Sequence, residues 1–189
     1  MEKHNLIVFL TDQQRGDTLG LYGNPSNLTS NLDYYGRRGT YFRKAFTPQP
    51  VCGPARSVIQ TGKYATQTGC FRNMIPLRLT EETVAKLLGR EGYQTGYIGK
   101  WHLGDPDSHG PVVEQERGGY QYWLAANLLE FVSDAYDTRL WDNHNNELRL
   151  PGYRVDALTD AAIRFIKEHQ HHPFFLFVSL LELHHQNHL

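Results

Sequence analysis

A helix pattern followed at once by a strand pattern lies in the middle of the chain: "TEETVAKLLGREG" (80–92) and "YQTGYIGK" (93–100). Val84, Leu87 and Leu88 share one face of the predicted helix, and two glutamates fall in its expected first turn, where the helix dipole favours negative charge. Helices that lead directly into strands are the repeating units of parallel sheets. This segment therefore predicts an α/β fold.

The same order of elements recurs in the rest of the chain. "VDALTDAAIRFIKEHQ" (155–170) predicts a helix that leads into the strand "FFLFVSLLE" (174–182), and five apolar residues lie near one side of that helix: Leu158, Ala161, Ile163, Phe165 and Ile166. "NLIVFLTD" (5–12) is a continuous apolar run that suits a strand buried on both faces, and "TYFRKAFT" (40–47) alternates aromatic and polar residues like a second strand. The predicted fold class is α/β, with a mainly parallel sheet covered by helices on both faces.

Two further segments complete this outline. Pro54 suits the first turn of a helix through "ARSVIQTG" (55–62), where its missing N–H costs nothing, and Gly62 ends the run. Residues 105–153 are rich in Gly, Asp, Asn and aromatic residues and predict an excursion of loops with room for a hairpin.

The composition restricts the classes of partner. The chain has 189 residues, 40% of them hydrophobic and 21% charged, which is enough for one domain with a core. Its formal net charge is −1 with no long run of one sign, so we expect no nucleic-acid or membrane-surface partner. "LIVFL" (6–10) is too short to span a membrane and lacks the features of a secretory signal, so we expect a cytoplasmic protein. Two cysteines cannot form a disulfide framework, and Cys70 is expected to be a small buried hydrophobe.

Four polar clusters follow the predicted strands and turns: Asp12 to Arg15, Cys52 to Arg56, Lys100 to His102, and His184 with His185. In sheets of this class ligands gather beyond the carboxyl ends of the strands, so we expect the four clusters on one rim. Each cluster alone has an ordinary explanation: a strand-end aspartate can cap a turn, a lysine or histidine can be satisfied in a loop, and a histidine-rich tail can bind metal adventitiously. Their combination favours a functional site.

Cys52 has a distinctive local environment. We expect Cys52 just outside a helix N-terminus, where a residue faces unpaired backbone N–H groups and the positive end of the helix dipole, which favour a thiolate or a bound anion. Arg56, one turn further on, adds a planar cation with five donors. Such an arrangement suits a tetrahedral oxyanion, phosphate or sulfate, next to a nucleophile.

The stretch Cys52-Gly53-Pro54-Ala55-Arg56, followed by Thr61-Gly62, resembles the Cys-x-Pro-x-Arg signature of type I sulfatases, members of the alkaline phosphatase superfamily. "FLTDQQRGDTLGLYGNP" (9–25) resembles the opening strand and loop of that family, "NLDYYGRRGTYFRKAF" (31–46) its following helix and strand, and "GYIGKWHLG" (96–104) its second active-site segment. The resemblance spans nearly all of residues 5 to 185. It implies an alkaline-phosphatase-like sheet.

The resemblance also implies a nucleophile and a metal. In the family a separate maturation enzyme oxidises the signature cysteine, here Cys52, to Cα-formylglycine. One hydroxyl of the hydrated aldehyde attacks sulfur and expels the alcohol, and the other then eliminates sulfate, whereas a serine would stay trapped as a sulfate ester. Asp12, the Cys52-derived diol and the neutral amide oxygen of Gln13 are the implied ligands of Ca²⁺ or Mg²⁺, hard cations that take oxygen donors. Arg56 is implied to hold the formylglycine.

The remaining implied roles concern the substrate, which is expected to be a small sulfate ester or a sulfated sugar. The resemblance also suggests a bacterial source. Lys100 is implied to bind a sulfate oxygen, and His102 to contact the formylglycine hydroxyl. His184 falls where the family places a histidine near the sulfate and the leaving oxygen, a candidate general acid. Leu183 stands where relatives commonly have proline, which leaves the choice between His184 and His185 open.

Family members are much longer than this chain, and their remaining metal ligands come from a later segment. We therefore expect residues 1–189 to be the N-terminal part of a sulfatase catalytic domain, with impaired turnover and with an exposed sheet edge that favours self-association. A phosphonate or phosphate monoester hydrolase of the same superfamily is the alternative enzyme, and a non-catalytic truncated remnant is the alternative of another class. Lys100-Trp101-His102 favours the sulfatase type.

Overall fold

The computed structural model describes residues 3–184. Six strands and six α-helices follow one another in the order β1 (Leu6–Leu10), α1 (Ser30–Gly36), α2 (Cys52–Thr61), α3 (Ala65–Thr68), α4 (Val84–Arg90), β2 (Gln94–Lys100), β3 (Tyr122–Ala126), α5 (Leu129–Val132), β4 (Thr138–Trp141), β5 (Glu147–Leu150), α6 (Arg154–His169) and β6 (Phe174–Ser179). Within this part of the chain, no helix combines the length and hydropathy that a membrane crossing needs.

The strands form one mixed sheet in the order β1-β6-β2-β3-β4-β5. The first four are parallel, and β4 and β5 form an antiparallel hairpin at the far edge. The predicted mainly parallel sheet is confirmed. It places the carboxyl ends of β1, β6 and β2 side by side.

Both faces of the central strands are buried, because successive side chains point to opposite sides of a strand. One face carries Ile98, Leu124 and Val178 and packs against the apolar side of α6. The other carries Tyr97, Trp123 and Phe177 and packs near α4 and the buried Cys70. The predicted helices on both faces, and the burial of Cys70, are therefore confirmed.

Residues 105–153 contain more regular structure than the sequence predicted. They include β3, a fully integrated parallel strand that pairs with β2 from Gly96↔Tyr122 to Lys100↔Ala126, as well as the β4–β5 hairpin. β3 spans only five residues, "YWLAA", inside a region rich in turn-forming residues. So short an apolar run does not distinguish a strand from its surroundings in the sequence.

The predicted strand 40–47 is wrong, since these residues form loop. Its aromatic side chains Phe42 and Phe46 are 70% and 88% exposed, and no strand of the described sheet lies alongside to accept its backbone hydrogen bonds. An alternating pattern becomes a strand only where a neighbour pairs with it.

Two predictions about burial also need correction. The faces of β1 are not buried, because β1 is an edge strand paired only with β6, and Ile7 and Phe9 are each 52% exposed. On α6, Ile163 is 44% exposed, whereas Leu158 and Phe165 are buried.

The helix predicted over 80–92 begins later than expected, at Val84. Thr83 is its N-cap, and the Thr83 side chain accepts a hydrogen bond from the Lys86 N–H. Glu81 lies before the helix and is buried, where it accepts from Lys63 Nζ at 2.8 Å and from Arg78. Its charge therefore serves ion pairs and not the helix dipole.

Candidate active site

The ends of three adjacent strands supply the floor of the candidate site. Lys100 ends β2, Ser179 ends β6, and Asp12 follows β1 by two residues. The Asp12 N–H donates to the carbonyl of Glu182 at 3.1 Å, and the Asp12 carbonyl accepts from the Leu183 N–H at 2.8 Å. These two bonds tie the loop after β1 to the segment that carries His184.

Arg56 projects from α2 across these strand ends and is 5% exposed. Its guanidinium donates to the Lys100 carbonyl at 2.8 Å, to Ser179 Oγ at 2.7 Å and to Asp12 Oδ2 at 3.3 Å. The resemblance implied that Arg56 holds the residue at position 52. That role stays a prediction, and the hydrogen bonds of Arg56 given above join the ends of β1, β6 and β2.

Cys52 is the first residue of α2, with Val51 as the N-cap, and it is half-buried. Its Sγ lies 3.9 Å from Lys100 Nζ. The neighbouring Gly53 N–H is already satisfied, because it donates to Asn73 Oδ1 at 2.8 Å. The helix N-terminus thus keeps its positive end toward Cys52, with one of its donors engaged by a residue that the sequence did not single out.

Asp12 is 8% exposed and ionised. Burial alone would raise the pKa of its carboxyl, but the cations of Arg56 and Lys100 outweigh burial and hold that pKa below its usual value. The Lys100 Nζ lies 2.9 Å from Asp12 Oδ2. Asp12 is therefore part of a buried cluster of charges with Arg56 and Lys100, which the ordinary explanation of a turn-capping aspartate does not account for.

Glu130, on α5, is the site residue that sequence reasoning missed. Its Oε1 lies 2.9 Å from Lys100 Nζ and 3.7 Å from His102 Nδ1. Burial raises the pKa of Glu130 and Lys100 lowers it, with a net shift below the usual value. Its other oxygen, Oε2, is buried with no hydrogen-bond partner among the described residues. The signal in the sequence that could have indicated Glu130 is its position four residues after the end of β3, and β3 itself was not predicted from the sequence.

His102 lies two residues beyond β2 in a left-handed backbone conformation, with φ of 59°. It is 8% exposed, and neither ring nitrogen has a hydrogen-bond partner among residues 3–184. Burial, followed by the nearby Lys100 cation, lowers the pKa of its imidazole to about 4. At neutral pH the ring is uncharged and can donate one hydrogen bond to a bound group and accept another.

Three potential ligand-bearing residues converge on one point: the ligand atoms of Asp12, Cys52 and His184 all lie within 4.8 Å of one another. A Ca²⁺ or Mg²⁺ ion takes oxygen ligands, so Asp12 fits such an ion, as does an oxygen in place of the Cys52 sulfur. These residues give part of a coordination sphere. Gln13, predicted as a further ligand, is exposed.

His184 is 6% exposed and belongs to this cluster. His185, the other predicted substrate-binding histidine, lies outside the described residues. The segment before His184 is anchored by a buried ion pair that sequence reasoning also missed: Arg154 donates through Nε and Nη2 to Glu182 Oε1, at 2.9 and 2.8 Å.

The structure therefore brings Asp12, Cys52, Arg56, Lys100, His102 and His184 to one rim, as the sequence predicted. Buried cations beside a helix N-terminus, at the carboxyl ends of parallel strands, favour the binding of an anion. The Sulfatase family profile matches residues 4–189, and the chain belongs to this family.

Relatives and solved structures agree with this family. The chain is 35% identical over 185 residues to the ulvan-active sulfatase of Formosa agariphila, which covers 96% of this chain and 36% of that protein. A putative sulfatase from Bacteroides fragilis superposes with a TM-score of 0.86 at 25% identity, over 97% of this chain and 44% of that one. The protein BT4656, solved with its substrate D-glucosamine-2-N,6-O-disulfate, gives a TM-score of 0.84 at 27% identity, over 97% and 35%. The chain thus spans less than half the length of these proteins.

Proposed function

We propose that this protein hydrolyses sulfate esters with a nucleophile derived from Cys52. The observation that carries the proposal is the placement of Cys52 at the start of α2, with its Sγ 3.9 Å from the buried Lys100 ammonium. A nucleophile at this point lies beside a cation that can bind an oxygen of the anion under attack. Membership of the sulfatase family supports the sulfate ester as that anion.

The described residues divide the chemistry among them. Lys100 binds a sulfate oxygen and neutralises charge that develops during attack. His102 is neutral at pH 7, since its pKa is about 4, and its unpaired ring nitrogens can orient the nucleophile by hydrogen bonding. His184 lies in the cluster with Cys52 and is the candidate that protonates the leaving oxygen. Arg56 fixes the strand ends that carry Lys100 and Asp12.

The cofactors are a formylglycine at position 52 and Ca²⁺ or Mg²⁺. Asp12 supplies a carboxylate to the metal, and Gln13 a neutral oxygen if its exposed side chain turns inward. When bound, such an ion supplies Lewis-acid stabilisation of negative charge on oxygen. The formylglycine requires a maturation enzyme as a partner.

The substrate class is a sulfated sugar. BT4656, which has the same fold and 27% sequence identity over the aligned region, was solved in complex with its substrate D-glucosamine-2-N,6-O-disulfate. A groove of about 370 Å³ adjoins the candidate site through Glu130 and is lined by acidic side chains with Arg139 and Trp141. An aromatic ring with acidic and guanidinium groups suits the apolar face and the hydroxyls of a sugar.

The test compares two model substrates with protein co-produced with a formylglycine-generating enzyme. We expect slow but measurable turnover of 4-nitrophenyl sulfate, still slower turnover of a phenylphosphonate monoester, and loss of the sulfatase activity in Cys52→Ala. Intact-mass analysis of the peptide that contains Cys52 verifies maturation. Faster phosphonate than sulfate hydrolysis would assign the alternative activity, and inactivity of the matured protein toward both would leave a non-catalytic member of the family.

A further inference from the structure

The buried Lys100 ammonium has two carboxylate partners. Its Nζ lies 2.9 Å from Asp12 Oδ2 and 2.9 Å from Glu130 Oε1, and the Lys100 side chain is completely buried. A buried ammonium that loses every partner bears an uncompensated desolvation cost. Asp12 can therefore leave Lys100 only if a second acceptor remains.

Arg56, the other cation on Asp12, also has alternative partners. It donates to the Lys100 carbonyl and to Ser179 Oγ, at 2.8 and 2.7 Å, both shorter than its 3.3 Å contact with Asp12 Oδ2. Asp12 is the one carboxylate in the described cluster with Cys52 and His184. Each cation can thus lose Asp12 and keep a partner, which for Lys100 is Glu130.

We propose that Glu130 is a positioning residue that holds Lys100 in place when the Asp12 carboxylate turns to a divalent cation. Glu130 acts on the cation through Lys100 and is not itself a ligand of the cation. The proposal rests on the proposed function only for the choice of cation. Without Glu130, Asp12 would be the one carboxylate within ion-pair distance of Lys100 among the described residues, and Lys100 would compete with the cation for it.

The test is the affinity of the matured protein for Ca²⁺ alone, measured by isothermal titration calorimetry. Glu130→Gln keeps the size and a hydrogen-bond acceptor but removes the charge, and we expect it to weaken Ca²⁺ binding roughly ten- to hundredfold. Glu81→Gln is the matched control, because Glu81 is an equally buried glutamate that pairs with Lys63 and Arg78 and lies outside the candidate site. We expect the control to leave Ca²⁺ affinity unchanged.

A double-mutant cycle separates the action through Lys100 from the simple loss of a negative charge. In a Lys100→Met background, Glu130→Gln should weaken Ca²⁺ binding much less than it does in the parent protein. If Glu130→Gln alone does not fold, Glu130→Asp carries the test: it should weaken Ca²⁺ binding when Lys100 is present and leave it nearly unchanged in the Lys100→Met background. Glu130→Asp, which keeps the charge, should lie between the parent and Glu130→Gln.

Three results would overturn the proposal: unchanged Ca²⁺ affinity in Glu130→Gln, an equal loss in Glu81→Gln, or an equal loss with and without Lys100. None of these readouts requires turnover. A protein that binds Ca²⁺ in a Glu130-dependent way but hydrolyses no sulfate ester would refute the proposed function and leave the role of Glu130 intact.

Discussion

His102 makes the stability of the folded protein depend on pH between about 4 and 6.5. Burial and the Lys100 cation lower the pKa of its imidazole from 6.5 to about 4. The unfolded chain therefore binds a proton to this residue at a higher pH than the folded chain does. The resulting stabilisation is fully present above pH 6.5 and is lost as the pH falls from there toward 4.

The magnitude follows from the two pKa values. Proton binding at His102 lowers the free energy of unfolding by about 0.2 kcal/mol at pH 7 and by about 2 kcal/mol at pH 5, relative to its value at higher pH. Between pH 7 and pH 5, His102 alone therefore lowers the free energy of unfolding by about 2 kcal/mol. His102 is 8% exposed, so solvent screening does not reduce this figure much. Carboxylates with lowered pKa values, such as Asp12 and Glu130, lose their contribution only at lower pH.

Urea unfolding at pH 7, 6 and 5 measures this effect by comparing the parent protein with His102→Gln. We expect the parent to lose about 2 kcal/mol more of its free energy of unfolding between pH 7 and pH 5 than the variant does. His144→Gln, which removes an exposed imidazole, controls for the loss of a histidine as such. Equal pH dependence in the parent and His102→Gln would refute the assignment of a buried, neutral His102.

Three further predictions concern the framework and the nucleophile. Gly99→Ala should destabilise the fold by about 3 kcal/mol or more in thermal denaturation, because φ at Gly99 is +106° and a Cβ there would lie 1.9 Å from the Ser179 carbonyl oxygen of β6. Gly89→Ala is the control, because no heavy atom lies within 4 Å of the new Cβ, and it should stabilise α4 by about 0.5–1 kcal/mol. Glu182→Ala should lower the free energy of unfolding, measured in urea, by about 3–5 kcal/mol, because it removes the carboxylate of a buried ion pair with Arg154. A decrease below about 1 kcal/mol would be typical of a solvated pair and would contradict its burial. Cys52→Ser should release one equivalent of nitrophenol from 4-nitrophenyl sulfate and then stop, since a serine sulfate ester has no second hydroxyl to expel sulfate, and continued turnover would argue against the diol mechanism.

The central layers of the fold could be predicted because their sequence patterns are strong. β2 and β6 are apolar runs that follow amphipathic helices, and the structure has them at Gln94–Lys100 and Phe174–Ser179. The elements at the margins could not be predicted in the same way. Residues 40–47 alternate like a strand but have no pairing neighbour, and β3 is too short to stand out from its surroundings.

The candidate site was predictable wherever a residue follows a recognisable strand or motif. Asp12, Cys52, Arg56 and Lys100 all belong to that group, and the structure brings them together. Glu130 could not be predicted, because a single glutamate in a loop-rich region is most often solvated and only the tertiary fold shows that it meets Lys100, thirty positions away.

Arg56 explains why the nucleophile motif and the sheet form one unit. The guanidinium reaches the ends of three adjacent parallel strands through a carbonyl, a hydroxyl and a carboxylate. An arginine has the rigid fork of donors that three acceptors in different directions require, and a lysine has a single ammonium in its place. Because Arg56 lies one turn after Cys52 on the same helix, the bonds that hold the strand ends together also fix the start of α2. The distance between position 52 and Lys100 is therefore set by the fold before any ligand binds, which is the preorganisation that electrostatic stabilisation of a reacting anion needs.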